Sequence, residues 1–142
     1  MKEQNLENHS RYILLWHFIT PTIMVAILVG SIINLANSAR ENIYSASLLV
    51  AISALLFIFY WYSRAFALKA QDRAIRAEEN FRHFILTGKQ LDSRLRMGQI
   101  IALRFAPDIE FVDLAKKAAE EGTTAKEIKK SIQNWKADNN RV

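Results

Sequence analysis

Three histidines and two carboxylate pairs are the side chains of this sequence most able to support catalysis or bind a metal. His9, His17 and His83 are far apart and form neither an HExxH nor an ExxH pair, the spacings that place two ligands on one helix face. The pairs Glu78–Glu79 and Glu120–Glu121 lie in charged, helix-forming stretches, where we expect nothing to bury them for acid–base work. The titratable residues therefore indicate no catalytic or metal site.

Motifs for phosphate binding and nucleophilic catalysis are also missing from the sequence. Thr87-Gly88-Lys89 lacks the rest of a Walker phosphate loop, and no serine lies in a GxSxG elbow. The chain has no cysteine, which excludes disulfides, thiolate metal sites and cysteine nucleophiles. We therefore expect a protein that is not an enzyme, with no cofactor, no bound metal and no small-molecule substrate.

Two long apolar stretches dominate the rest of the sequence. They cover residues 12–36 and 43–68, and each exceeds the roughly 20 residues that a helix needs to cross a bilayer. Because the connection between them is so short, the two helices must be antiparallel neighbours, and the chain returns to the side from which it entered. The predicted segments are a cytoplasmic N-terminal tail (1–11), transmembrane helix 1 (12–36), an external loop (37–42), transmembrane helix 2 (43–68), a cytoplasmic extension of helix 2 (69–88) and a cytoplasmic helical unit (89–142).

The charge distribution predicts that both termini are cytoplasmic. Lysine and arginine concentrate on the cytoplasmic flanks of membrane helices, and here they follow helix 2 in number, whereas the loop holds only Arg40, next to Glu41. Aromatic rings at the same helix ends favour the headgroup level. The predicted membrane-interface anchors are Arg11, Tyr12, Trp16, Tyr60, Trp61, Tyr62, Arg64 and Lys69. A cleaved signal peptide ending near Ala36 is the alternative, but the apolar core is longer than that of a signal peptide.

The apolar stretches contain small residues and few polar ones. Ala26 and Gly30 are four apart, a spacing that lets helices approach closely, either within the hairpin or against another chain. Pro21 removes one helical hydrogen bond, and the freed carbonyl can be satisfied by the flanking threonine hydroxyls or by a neighbouring helix. Neither stretch contains a charged residue before Arg64, which argues against an ion path or a proton relay.

Helical periodicity continues beyond the second apolar stretch, to about Thr87-Gly88. Residues 63–86 contain neither Gly nor Pro and are rich in strong helix formers. A narrow apolar stripe along this helix, which we call the seam, consists of Ala67, Ala70, Ala74, Ala77, Phe81 and Phe84. Its alternating spacing of three and four is that of a heptad repeat, which suits a closely packed helix pair. The same spacing also suits packing on the C-terminal unit of the same chain.

Three short amphipathic helices are predicted in the C-terminal unit. The first covers residues 91–106, and the second follows Pro107 and ends at Gly122. The third opens at Thr124 with a capping-box pattern, and its apolar residues continue at helical spacing to Trp135. The prediction is therefore an all-α fold: a membrane helical hairpin with a long cytoplasmic helix extension and a small C-terminal three-helix unit.

The third of these helices also carries a possible basic contact face. Its lysines away from the apolar stripe are Lys126, Lys129, Lys130 and Lys136. Two helices joined by a glycine turn, with the second helix basic, are typical of a helix-turn-helix DNA-binding unit. However, the preceding helix holds acids such as Asp108, Glu110 and Asp113, which would repel a phosphate backbone. We therefore expect no nucleic-acid partner, and we interpret the lysines as a solvated face.

Several segments of the chain resemble a known family. They are HSRY (9–12), FALKAQDRAIRAEE (66–79), QIIALRFA (99–106), KEIKKSIQNWKAD (126–138) and the closing Arg141-Val142. Together they are similar to an uncharacterised family of small bacterial two-span inner-membrane proteins, known only as a domain of unknown function. The resemblance covers essentially the whole chain. It implies a multi-pass protein of the bacterial inner (cytoplasmic) membrane with a cytoplasmic helical tail, and it brings no activity, cofactor or catalytic residue.

These features favour a non-catalytic membrane protein that acts as a scaffold, adaptor or accessory subunit through its cytoplasmic helical module. Its expected partners are membrane lipid and either further copies of itself or another membrane protein. The seam is the predicted assembly surface, and Ala26 and Gly30 are its counterpart in the bilayer. One alternative is a membrane-tethered nucleic-acid-binding regulator that uses the four lysines. Another is a homo-oligomeric pore, for which uncharged membrane helices are poorly suited.

Overall fold

The computed structural model describes residues 5–6 and 12–138 of the chain, and over these residues it contains helices and turns but no β-strand. The prediction of an all-α fold is therefore confirmed. The α-helices are α1 (Thr20–Ala36), α2 (Ile43–Thr87), α3 (Met97–Leu103), α4 (Asp108–Glu121) and α5 (Ala125–Ser131), and a short 3₁₀ helix, Arg40–Asn42, lies between α1 and α2. They form two compact units, a hairpin unit of Tyr12–Phe66 and a tail unit that includes residues 67–138. Helix α2 contributes to both units.

The hairpin unit buries one stripe of residues on each of its two helices, spaced alternately three and four apart. The stripes are Met24, Leu28, Ser31 and Leu35 on α1, and Ala46, Val50, Ser53 and Phe57 on α2. The most buried of them are Ser31, Ala46 and Ser53, whose small side chains let the helices approach closely. The two serine hydroxyls donate to carbonyls of their own helices, 2.8 Å from Ser31 and 2.7 Å from Ser53, so their burial leaves no hydroxyl donor unpaired.

A π-helical turn, Leu15–Ile19, precedes Pro21 near the start of the hairpin unit. In a π-helix each N–H bonds the carbonyl five residues earlier, so the N–H that Pro21 lacks would have reached the carbonyl of Trp16. The hydroxyl of Tyr60, on α2, donates to that carbonyl instead. The Thr20 hydroxyl donates to the carbonyl of Leu15 at 2.8 Å. Of the two donors considered for the carbonyl that Pro21 frees, the neighbouring helix is therefore the one that the structure contains, since the Leu15 carbonyl also accepts the backbone N–H of Thr20.

The tail unit is built on a small apolar core to which α2, α3, α4 and α5 all contribute. Its fully buried large side chains are Leu103, Phe105 and Phe111. Ile75 joins this core from α2 and Ile128 from α5. The last third of α2 is therefore one wall of the tail unit rather than a free-standing extension.

Three helix boundaries of the tail unit agree with the signals in the sequence. Helix α2 ends at Thr87, and Gly88 follows with a φ of 72°. Helix α4 ends before Gly122, which adopts the left-handed conformation with a φ of 67°. Thr124 caps α5 in a reciprocal capping box with Glu127.

The first of the three tail helices is shorter than predicted. Helix α3 is Met97–Leu103, whereas the sequence predicts a helix over residues 91–106. The segment before it is tied to α2 instead, because the N–H of Leu91 donates to the Asn80 side chain at 2.8 Å. The Asp92 carboxylate accepts the N–H of Arg94 at 2.9 Å in a local turn.

The third tail helix is also shorter than predicted. Helix α5 ends at Ser131, and the next residue is extended, with a φ of −70° and a ψ of 121°. The Glu110 carboxylate accepts the N–H groups of both Gln133 and Asn134 at 2.9 Å, which draws this segment out of the helix. Trp135 then stacks on Phe105 with ring centroids 4.7 Å apart. These long-range contacts outweigh the helical spacing that the sequence suggests.

Candidate interaction surface

One face of α2 holds the rest of the tail unit. Ile75 and Glu79 on this face are each 4% exposed, and the side chain of Arg82 is 13% exposed. The expectation that both members of the Glu78–Glu79 pair are exposed is therefore wrong for Glu79. This face, and not the seam, makes the contact with the C-terminal helices.

Arg82 is the centre of this contact. Its guanidinium donates to Asp108 at 2.6 Å, to the carbonyl of Ala106 at 2.8 Å and to Glu79 at 3.1 Å. The same group lies over the Phe111 ring, 4.3 Å from its centroid, so both its charge and its planar face are used. These contacts hold α2 against the start of α4. The guanidinium N–H groups that make them donate to acceptors of the same chain.

The seam lies on a different face of α2 and is exposed. The structure leaves Ala67, Ala70, Ala74 and Ala77 exposed, with Phe81 66% and Phe84 50% exposed. Packing of the seam on the C-terminal unit, one of the two interpretations of its spacing, is therefore not what the structure contains. Within the described residues nothing covers the seam, and its role in assembly stays a prediction.

Ile85 extends the exposed apolar area beyond the residues that the sequence singled out. It is 66% exposed and lies one turn after Phe81, beside the seam. Together Phe81, Phe84 and Ile85 expose three large apolar side chains on one side of α2, and elsewhere in the tail unit Leu86 is 41% and Ile109 85% exposed. Contiguous apolar area on a folded unit is a common feature of surfaces that contact a protein or a membrane. Helical spacing from Phe81 could have identified Ile85 in the sequence.

The small-residue pair of the first apolar stretch is exposed as well. Ala26 and Gly30 are both exposed, and a side chain built on Gly30 would meet nothing within 4 Å. The hairpin unit is packed instead through Ser31, Ala46 and Ser53. Of the two partners considered for Ala26 and Gly30, the neighbouring helix of the same hairpin is therefore not the one that the structure contains.

The predicted membrane-interface anchors divide into two groups. Trp16 and Tyr60 are stacked on each other, with ring centroids 4.5 Å apart, so they join the two helices of the hairpin. Tyr12, Trp61 and Tyr62 are 72%, 74% and 53% exposed. Arg64 is half-buried and Lys69 is exposed, whereas Arg11 lies outside the described residues. Their role at a headgroup layer stays a prediction.

The four lysines do not share a helix face. Lys126, Lys129 and Lys130 lie on α5, but Lys136 lies beyond its end and donates its backbone N–H to Phe105 at 2.8 Å. Lys129 is half-buried, with its ammonium group 5.3 Å from the centroid of the Phe105 ring. The prediction that one continuous helix carries all four lysines is therefore wrong, because that helix stops at Ser131, and their role as a basic contact face stays a prediction.

Three carboxyl groups of the tail unit have lowered pKa values, because each accepts hydrogen bonds from groups of the same unit. Hydrogen bonds from the Arg94 guanidinium lower the pKa of Asp92 to about 2. The N–H of Gln133 is the main cause that lowers the pKa of Glu110, and the N–H of Thr124 is the main cause that lowers that of Glu127. All three carboxylates are charged at neutral pH and occupied as acceptors. Among the described residues, no three His, Asp or Glu side chains are grouped to hold a metal.

The chain matches one known family along its whole length. The sequence profile described as a family of unknown function, DUF6526, matches residues 1–142. The chain belongs to this family. The resemblance to an uncharacterised family is thus confirmed, while the membrane topology and bacterial source that it implied stay predictions. No curated protein and no solved structure matches the chain.

Proposed function

We propose that this member of the family is a non-catalytic integral protein of the bacterial inner membrane, which anchors a cytoplasmic helical module and acts as a scaffold, adaptor or accessory subunit. The observation that carries the proposal is the exposed apolar surface that Phe81, Phe84 and Ile85 form on the tail unit. When another surface covers three large apolar side chains on one helix face, their removal from water lowers the free energy of the complex.

The exposure of the hairpin unit supports the membrane part of the proposal. The helical stretches Leu15–Ala36 and Arg40–Thr87 each contain an apolar window long enough to cross a membrane, and only 11% of each window is buried. A core helix of a soluble protein would have most of such a window buried. Lipid would cover the remaining apolar side chains.

The contacts of the first helix support a retained hairpin rather than a cleaved signal peptide. Trp16 stacks on Tyr60 and receives its hydroxyl hydrogen bond, and Ser31 is buried within the same unit. Loss of this segment would uncover Ala46 and Ser53 on α2. Basic residues after the second stretch support cytoplasmic termini, since lysine and arginine concentrate on that side.

Cysteine labelling tests the membrane part, because the chain has no cysteine of its own. Ala39→Cys lies in the short loop and Ala137→Cys in the tail, and both positions are exposed. A membrane-impermeant maleimide added to intact spheroplasts is expected to label position 39 and to reach position 137 only after permeabilisation. Labelling of both positions in intact spheroplasts, or release of the protein by alkaline carbonate, would contradict the proposal.

Co-purification tests the scaffold part. The full-length protein is isolated from native membranes in mild detergent, once as wild type and once as Phe84→Arg. We expect the wild type to retain a stoichiometric complex that Phe84→Arg loses, because an arginine cannot be buried in an apolar contact without a partner charge. Ala137→Arg, at an exposed position outside the seam, is the control. If Phe84→Arg retains the same complex as the control, the exposed surface is not where the partner binds.

A further inference from the structure

We propose that the apolar surface of the tail helix docks a second copy of this chain, with the two copies of α2 parallel and in register. The surface consists of Phe81, Phe84 and Ile85, together with the alanines of the seam, which let a second helix approach closely. This inference rests on the proposed function, because it takes both copies to be anchored in one membrane.

The charges beside the surface select the parallel arrangement. Arg73 and Glu78 are both exposed, and they lie on opposite flanks of the seam, immediately before Ala74 and immediately after Ala77. In a parallel helix pair, a residue on the first flank meets the residue five positions later on the second flank of its partner, and opposite charges there attract. Arg73 and Glu78 have this separation, so a two-fold symmetric pair would contain the Arg73–Glu78 contact twice.

An antiparallel pair offers no such attraction. In that arrangement residues of the same flank face each other, so Arg73 of one copy would not meet Glu78 of the other.

Membrane anchoring favours the parallel arrangement independently of these charges. Two copies inserted with the same topology have chains that run the same way from the bilayer, and equal sequence distances from the bilayer bring the two seams into register.

The tail unit leaves room for a second helix on this surface. Ile75, Glu79 and Arg82 face the core, and at about 100° per residue their mean direction lies roughly 135° around α2 from that of the seam. A partner helix on the seam therefore does not displace the C-terminal helices. The contacts of Arg82 with Glu79, Asp108 and Ala106 would remain intact.

Cysteine cross-linking tests the arrangement in the full-length chain. Ala74→Cys places one thiol on the seam, and the chain contains no other cysteine. In a parallel, in-register pair the two copies of residue 74 face each other at disulfide distance, so mild oxidation of isolated membranes is expected to give a covalent dimer. Arg76→Cys, exposed on another face of the same helix, is the control and is expected to stay monomeric.

A charge exchange tests the flanking contact. Arg73→Glu is expected to weaken self-association by about tenfold, because it turns two attractions into two repulsions, and adding Glu78→Arg is expected to restore it. Arg76→Glu is the matched control and is expected to have no effect. Since Glu78 also lies 3.7 Å from Arg104, the fold of the double variant is verified by circular dichroism.

The outcomes separate this inference from the proposed function. Equal cross-linking at positions 74 and 76, or none at position 74, would overturn the parallel dimer. If the wild type then still retains a different protein in native membranes, the scaffold proposal stands without the dimer. If the chain is absent from the membrane fraction, both the proposed function and the parallel dimer are contradicted.

Discussion

Helix α2 carries small or aromatic residues at the same heptad spacing in both units. Only in the hairpin unit does another helix of the chain pack on them. Along α2, Ala46, Ser53 and Tyr60 recur every seven residues in the hairpin unit, and all three are buried or half-buried. The same seven-residue spacing continues with Ala67, Ala74 and Phe81 in the tail unit, and all three are exposed. In the hairpin the covering helix is α1. In the described part of the tail, no helix takes that place.

The difference teaches that a heptad of small residues predicts a close helical neighbour without identifying it. In the hairpin unit the neighbour belongs to the same chain, because a short loop brings α1 back along α2. In the tail unit the short helices α3, α4 and α5 pack on a different face of α2, through Ile75. The seam is therefore the face of α2 on which we propose that a second copy of the chain supplies the neighbouring helix.

The units also differ in how their polar groups are satisfied. In the hairpin unit, buried hydroxyls bond their own helix, as those of Ser31 and Ser53 do, and Tyr60 provides a bond between the two helices. In the tail unit, charged side chains such as Arg82 and Glu110 bond residues more than twenty positions away. We therefore expect the stability of the tail unit, and not that of the hairpin unit, to depend on charged side chains.

The largest expected effect comes from Arg82→Ala. The substitution removes the hydrogen bonds to Asp108 and to the carbonyl of Ala106, and it leaves the buried Glu79 carboxylate without its cation. We expect the free energy of unfolding of the tail to fall by about 3 kcal/mol. Hydrogen exchange measured separately for the two units should show faster opening in α4 and no change in α1.

Arg76→Ala is the matched control for this substitution, because Arg76 lies on the same helix and is exposed. Its cost is expected to stay within about 0.5 kcal/mol. Equal effects of the two variants would mean that Arg82 does not hold the tail unit together.

Tyr60→Phe should give a smaller effect, confined to the hairpin. The variant keeps the stacked ring on Trp16 but removes the hydroxyl that satisfies the Trp16 carbonyl next to Pro21. We expect a loss of about 1 kcal/mol in hairpin stability, measured as faster hydrogen exchange in the π-helical turn. Tyr62→Phe removes the same hydroxyl from a more exposed ring and serves as the control. An equal response of both variants would contradict a specific role for the Tyr60 hydroxyl.

Acidification should give the smallest effect and should act on the tail alone. The pKa values of Glu110 and Glu127 are lowered from 4.5 by backbone hydrogen bonds that exist only in the folded tail. A carboxylate with a lowered folded pKa stabilises the fold above its unfolded pKa, and this stabilisation is lost as the pH falls through the folded pKa. We therefore expect hydrogen exchange, corrected for its intrinsic rate, to accelerate in the tail below about pH 4.5. Glu110→Gln should reduce this dependence, and an equal acid response of the hairpin would contradict it.

The sequence predicts most of the fold because its strongest signals are local. Apolar length predicts α1 and most of α2, and Gly88, Gly122 and Thr124 mark helix boundaries where the structure has them. The errors lie where long-range bonds compete with helical spacing. Asn80 holds the segment before α3, and Glu110 holds the segment after α5, and neither contact can be derived from neighbouring residues.

The candidate surface could be predicted only in part. The spacing of Ala74 and Phe81 identifies a stripe, yet spacing alone does not decide whether the C-terminal unit covers it. That decision depends on Ile75 and Arg82, which pack the tail on another face of α2. The ion pair of Arg82 with Asp108 likewise joins residues that are distant in sequence, so helical spacing does not predict it.

The mass of the full-length protein in mild detergent, extracted from native membranes, tests most directly whether the seam is the assembly surface. Three forms are compared: wild type, Ala74→Arg on the seam, and Ala137→Arg at an exposed position outside it. We predict that wild type and Ala137→Arg have the mass of a complex, whereas Ala74→Arg has the mass of a single folded chain. The same mass for all three forms would contradict the account, because a buried arginine at the centre of the seam could not be tolerated.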